Sequence, residues 1–175
     1  PATPWVQNFV QGSKWPQTRD AYVMKFDHQF NSNHLMFARL NLGDAYFNFN
    51  YDFDGIATPG RNMVNRPNKG IALNDTFLIS PQTTIDTRIG YAFGGEQQRP
   101  YSDGFDLSTL GFPASFVNSV QSPAIPTIRV TGFQGLAGSG YKQQLGYTYS
   151  FQSNVSMHRG PHVFKTGGEV RVLRG

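Results

Sequence analysis

A two-residue alternation of apolar and polar side chains runs through much of this chain and constrains its fold more than any other feature. From Ile85 to Phe93 the odd-numbered residues are large or β-branched, whereas the even-numbered residues are charged or small. Only an extended strand projects successive side chains to opposite faces in this way. The same alternation recurs at about 19–30 and 145–158. The sequence therefore predicts an all-β fold, an antiparallel meander of about six or seven strands.

Short turns and long links alternate between the predicted strands. Short turns are predicted at Asn31-Ser32-Asn33, at Ser80-Pro81-Gln82-Thr83 and at Arg159-Gly160-Pro161. Two long polar links cover about 43–73 and 94–127, and in the second Asp106 is expected to cap one or two helical turns that Pro113 ends. Residues 1–18 read as an irregular lead-in and residues 19–175 as a β-barrel segment. The strands are predicted at about 19–30, 34–42, 74–80, 84–94, 128–133, 145–158 and 162–174.

Composition narrows the classes of protein that this chain can belong to. The absence of Cys excludes a disulfide framework and a Cys-ligated metal site. The net charge of +4 is modest, and Lys and Arg are scattered, so nucleic acid is not an expected partner. No segment approaches the roughly 18 consecutive apolar residues of a membrane helix. Pro1, in place of an initiator Met, indicates the start of a fragment or of a processed product.

Long links at one end of a sheet and tight turns at the other are typical of an outer-membrane barrel wall. The chain resembles the barrel part of TonB-dependent outer-membrane receptors, in the branch with an upstream carboxypeptidase-regulatory-like domain. The resemblance covers about residues 19–174. It is carried by residues 25–31 (KFDHQFN), 34–39 (HLMFAR), 80–83 (SPQT), 88–91 (RIGY), 111–115 (GFPAS) and 160–169 (GPHVFKTGGE).

The resemblance implies an outer-membrane location and the uptake of a bulky solute, either a metal chelate or a glycan. Such receptors have a plug domain, 22 barrel strands and an energy-coupling box, whereas this sequence shows neither plug nor box and only six or seven strands. Closed membrane barrels need about eight strands at least. The sequence therefore predicts a partial barrel wall with two long loops on one side, whose partners are the outer membrane and the rest of the receptor chain.

An open wall also suggests a second function. Unpaired strand edges recruit further strands, and a segment that alternates Asn with aromatic residues favours cross-β stacking. Copies of the chain could then pair edge to edge and form an extracellular, self-assembling filament that transports nothing.

The segment from Tyr46 to Asp54 is the strongest candidate for a binding site. Its aromatic rings could stack a sugar or another flat ligand, as in a soluble carbohydrate-binding module, or they could simply form an aromatic belt or a paired strand.

Three Asp residues of the same region could supply oxygen ligands to calcium. The signal for a calcium site is weak, because their spacing lacks the Gly and terminal Glu of a helical calcium loop. No catalytic constellation, enzyme activity or cofactor is predicted. The candidate ligand-binding residues are Tyr46, Phe47, Phe49, Tyr51 and Phe53, and the calcium candidates are Asp44, Asp52 and Asp54.

Overall fold

Strands dominate the structure, a computed structural model that describes residues 12, 14–48, 53–138 and 140–175. A short 3-10 helix (Leu107–Leu110) and the four-residue helix α1 (Ala114–Val117) are the helices of the described residues. The prediction of an all-β fold is confirmed. The strands are β1 (Gln17–Asn31), β2 (His34–Asn48), β3 (Asn62–Asn65), β4 (Asn68–Ser80), β5 (Thr83–Pro100), β6 (Lys142–Arg159) and β7 (His162–Arg174).

All seven strands belong to one antiparallel sheet in the order β1-β2-β3-β5-β6-β7, with β4 also between β2 and β5. Strands β3 and β4 pair with successive parts of the same two neighbours, so the sheet is six positions wide. In the described part of the chain, β1 and β7 are the two outermost strands, and each has a strand neighbour on one side alone.

Three two-residue turns join the strands where the sequence predicts them, and each has a local cause. Asn31 Oδ1 accepts a hydrogen bond from the Asn33 backbone N–H at 2.8 Å, and Ser80 Oγ accepts one from the Gln82 N–H at 3.3 Å. These hydrogen bonds make the first an Asx turn and the second an ST turn. At the third turn Gly160 has a φ of 55°, a conformation that glycine adopts without strain.

The long links differ from the prediction. The predicted first link, 43–73, contains strand structure. Strand β2 continues to Asn48, and all of β3 and residues 68–73 of β4 also lie within this range. A strand at 128–133 was predicted wrongly, since this segment forms only an isolated bridge between Ile128 and Leu136. The helical turns after Asp106 are confirmed, because its side chain accepts a hydrogen bond from Ser108 N–H.

The chain divides into two units. The sheet unit comprises Arg19–Asp44, Arg66–Gly95 and Gln144–Gly175, and the loop unit comprises Pro1–Thr18, Ala45–Asn65 and Glu96–Gln143. The buried hydrophobic residues of the described chain all lie in the loop unit: Ala45, Phe47, Val64, Leu107 and Ile125. In the sheet unit, every residue of which is described, the single buried side chain is that of the polar Asn74. The sheet unit therefore has no hydrophobic core of its own.

Candidate functional site

One face of the sheet unit carries apolar side chains that other parts of the chain leave uncovered. The strand register aligns Ala38 with Leu73 and Leu73 with Ile89, so these three side chains share a face. Further along the sheet, Phe151 is paired with Val170. Ile89, Phe151 and Val170 are 52%, 49% and 64% exposed. We call this surface the apolar face.

Aromatic rings border the apolar face at both ends. At the end with the short turns, neighbouring ring centroids lie 4.4–6.2 Å apart in the series Phe26, His28, Phe30, His34 and Phe77. At the other end Tyr91 lies 5.2 Å from Tyr149, and Phe93 lies 5.1 Å from Tyr147.

The distance between these aromatic rows is comparable with the height of the apolar band of a membrane barrel. Ile85 is paired with Phe77 of the first row, and the second row ends at Phe93 on the same strand as Ile85. At about 3.4 Å per residue, the stretch from Ile85 to Phe93 is about 27 Å long. Transmembrane barrels carry an outward apolar band about 25 Å tall with aromatic girdles at both interfaces.

The opposite face of the sheet unit, which we call the polar face, is connected by hydrogen bonds. Asn74, 7% exposed, donates through Nδ2 to Thr76 Oγ1 at 3.1 Å and to Asp86 Oδ2 at 3.2 Å. Arg88 Nε donates to Asn74 Oδ1 at 2.8 Å and lies 3.0 Å from Asp86 Oδ1. Such a network favours burial of Asn74 because each buried polar group needs a partner. The sheet unit thus has an apolar exterior and a polar, partly buried side.

A cavity of about 1020 Å³ lies within the loop unit. The strands β1, β2, β3, β5 and β6 contribute to its lining, together with Pro16 before β1 and Ser122 and Tyr141 from the long link after β5. Its lining is mainly amide, aromatic and paired charged side chains. The lining includes Tyr46, Asn65, Gln98, Arg99, Ser122, Tyr141 and Lys142.

Both cations of this lining are paired with carboxylates. Lys142 Nζ lies 3.0 Å from Glu96 Oε1, and Arg99 Nη1 lies 3.6 Å from Asp103 Oδ2. Asp103 also accepts a hydrogen bond from the Tyr141 hydroxyl. Partial burial, this hydrogen bond and the Asp103 charge raise the pKa of Tyr141 to about 12, although Arg99 opposes the shift.

Comparison with known proteins identifies the family. The family model described as outer membrane beta barrel domain matches residues 1–175. The chain belongs to this family. No curated protein and no solved structure matches it. Its location is the outer membrane, as predicted. Among the described residues, no helix has the length and apolar character needed to cross a membrane.

The structure of this outer-membrane barrel domain separates the predicted aromatic residues. Phe47 is buried with Ala45 and Val64 in a small core, whereas Tyr46 is 51% exposed. Phe53 lies in a bend, where its N–H donates to Thr58 Oγ1 at 3.1 Å. Phe49 and Tyr51 lie outside the described residues. Tyr46 and Phe47 line the cavity, and Phe53 is outside the lining as described.

The calcium candidates are not brought together by the described residues. Asp44 is a half-buried residue of β2, Asp54 is exposed in a bend, and Asp52 lies outside the described part of the chain. Groups of three or more His, Asp or Glu side chains that could hold a metal ion are absent from the residues that the structure describes.

Several cavity-lining residues escaped the sequence analysis. Gln98 and Arg99 fall in the predicted second link, yet β5 continues through both to Pro100. The run Glu96-Gln97-Gln98-Arg99 interrupts the apolar alternation, and for this reason the alternation predicts a strand end at about 94. These polar residues continue the strand, so a strand end should not be predicted from the loss of apolar residues alone.

The raised pKa of Tyr141 gives a pH-dependent prediction. Because the folded-state pKa is about 12 and the ordinary value is 10.0, the neutral Tyr141, through its partial burial and its hydrogen bond to Asp103, contributes stability that is fully present below about pH 10 and is lost as pH rises through about 12. We expect Tyr141→Phe to remove a late step from the tyrosinate absorbance titration of the folded protein. A missing step centred near pH 10 instead of near pH 12 would contradict the hydrogen bond.

Proposed function

We propose that this domain forms part of the barrel wall of a TonB-dependent receptor that takes up a bulky solute, and that it acts in transport and not in catalysis. The observation that carries the proposal is the reversed distribution of side chains in the sheet unit, where Asn74 is buried while Ile89, Phe151 and Val170 are exposed. In water this arrangement leaves large apolar areas hydrated, which is unfavourable. Hydrocarbon around the apolar face removes that cost, and we assign this face to lipid.

The width of the sheet supports a wall in preference to a complete barrel. Six strand positions fall short of the about eight that closed membrane barrels need. Strands β1 and β7, as described, each have one edge without a strand neighbour. Further strands of the same receptor would pair with these edges.

The links between strands support the uptake of solute from outside the cell. Two-residue turns occur at one end of the sheet unit, and the connections from β2 to β3 and from β5 to β6 are much longer. Outer-membrane barrels have short periplasmic turns and longer extracellular loops. The two long links are therefore assigned to the extracellular side.

The native mass and uptake activity test this proposal. An antibody against residues 101–126 should detect, in detergent extracts of outer membranes, a monomer much heavier than 19.5 kDa. Solute uptake by the same cells should stop when a protonophore abolishes the inner-membrane proton gradient. A barrel of 19.5 kDa mass, or uptake that continues without the gradient, would contradict the receptor.

A second candidate function is a self-assembling extracellular fibre. The exposed strands β1 and β7 favour it, since every residue of both strands is exposed and both have a free edge in the described structure. Long strands of this kind are templates for pairing with other chains. Regular polymers of a 19.5 kDa chain in electron micrographs of the culture medium would favour the fibre over the receptor.

A further inference from the structure

We infer that the cavity of the loop unit binds a neutral, hydroxyl-rich solute of the oligosaccharide class, and not an anionic metal chelate. The inference rests on the proposed uptake function and narrows its solute to one of the two classes that remain. All residues that line the cavity belong to the loop unit. The charge, the hydrogen-bonding groups and the aromatic rings of this lining each favour one of the two classes of solute.

The charge of the lining is balanced within the protein. Lys142 Nζ is 3.0 Å from Glu96 Oε1, and Arg99 Nη1 is 3.6 Å from Asp103 Oδ2. An anionic chelate is held best by cations whose charge is not already neutralised, as in phosphate and carboxylate sites. Because both cations have carboxylate partners, the cavity offers little net positive charge to an anion.

Amide side chains supply most of the remaining polar groups. Each amide both donates and accepts hydrogen bonds, as sugar hydroxyls do, so the two groups can form reciprocal pairs without net charge. The amides of the lining are Asn48, Asn65, Gln97, Gln98 and Gln143.

Aromatic rings and cavity size agree with the same class of ligand. Tyr46, Phe47 and Tyr141 line the cavity, and the negative face of such a ring attracts the C–H groups of a sugar ring. The volume of about 1020 Å³ is at the upper end of the range of about 300–1,000 Å³ found for small-molecule sites. An oligosaccharide of several residues suits this volume better than a monosaccharide.

Calorimetry of the complete protein in detergent tests the inference. The probes are an array of neutral oligosaccharides, followed by titration of the best ligand, and ferric citrate as the anionic chelate. Ser122 is an exposed lining residue on a loop, so Ser122→Trp should fill part of the cavity without entering a core. The matched control is Ser115→Trp, at an exposed residue of α1 outside the lining.

We expect a neutral oligosaccharide to bind, Ser122→Trp to weaken that binding at least tenfold, and Ser115→Trp to change it less than twofold. Ferric citrate binding that is lost in Ser122→Trp, or no binding of any neutral oligosaccharide to protein with an intact β-sheet spectrum, would overturn the inference. Oligosaccharide binding that Ser122→Trp leaves unchanged would also overturn it. Native mass and proton-gradient dependence are measured independently, so either failure can be distinguished from failure of the receptor proposal.

Discussion

Phe151→Arg is expected to lower the free energy of unfolding in lipid vesicles by about 2–4 kcal/mol, the cost of an Arg at the midplane of a barrel's lipid face. Phe151 lies in the row of the apolar face that contains Val170, between the two aromatic borders and two residues from Tyr149 of the second one. The guanidinium would have to enter hydrocarbon or distort the bilayer around it. Urea unfolding in large vesicles, followed by tryptophan fluorescence or circular dichroism, measures the change.

The neighbouring substitution Gln152→Arg is the matched control. Gln152 is on the polar face of β6, next to Glu169 and its ion-pair partner Arg171, so an added Arg lies among polar groups instead of lipid. We expect a smaller loss than for Phe151→Arg, because the guanidinium stays on the polar side of the sheet and does not enter hydrocarbon. Equal losses for the two variants, or a larger loss for Gln152→Arg, would show that the assignment of the apolar face to lipid is wrong.

Gly95→Ala is expected to destabilise the sheet unit by about 1–3 kcal/mol, a typical cost of overpacking. An added Cβ at Gly95 would lie 2.2 Å from the Gln144 carbonyl oxygen and 2.9 Å from Leu145 Cα. Both contacts involve backbone of β6, which cannot move aside as the end of a flexible side chain can. The strands β5 and β6 would have to separate locally, and urea unfolding would report the loss.

The adjacent Gly94→Ala provides the comparison. Its Cβ would be 3.7 Å from the Pro67 carbonyl oxygen, an ordinary van der Waals contact. We expect the stability of Gly94→Ala to be unchanged or up to about 1 kcal/mol higher, because Ala restricts the unfolded chain more than Gly does. If Gly94→Ala is the more damaging of the two, the close approach of β5 to β6 is contradicted.

The three hairpins were predictable from local sequence, whereas the ends of the strands in the loop unit were not. Asn31, Ser80 and Gly160 act within two or three residues, so their turns can be read without knowing the rest of the fold. In contrast, Glu96 and Gln98 continue β5 although they break the apolar alternation. Their partners Lys142 and Gly140 lie more than 40 residues away in the chain.

The candidate site was only partly predictable for the same reason. Tyr46 and Phe47 were selected for their rings, and the structure places both on the cavity lining. Gln98, Tyr141 and Ser122 join them through long-range strand pairing and the path of a long link. No local pattern indicates that these residues share a cavity, and the predicted strand at Ile128–Phe133 showed how weak local pattern is in this region.

The sequence by itself determined that the chain forms strands with one apolar and one polar side, because alternation at a period of two is a local property of the backbone. Only the tertiary structure decided which side is covered. Asn74 is buried and Phe151 exposed since strand pairing aligns the polar residues into one network and leaves the apolar residues outside it. Burial depends on neighbours that are distant in the sequence, and these are fixed only when the strands pair.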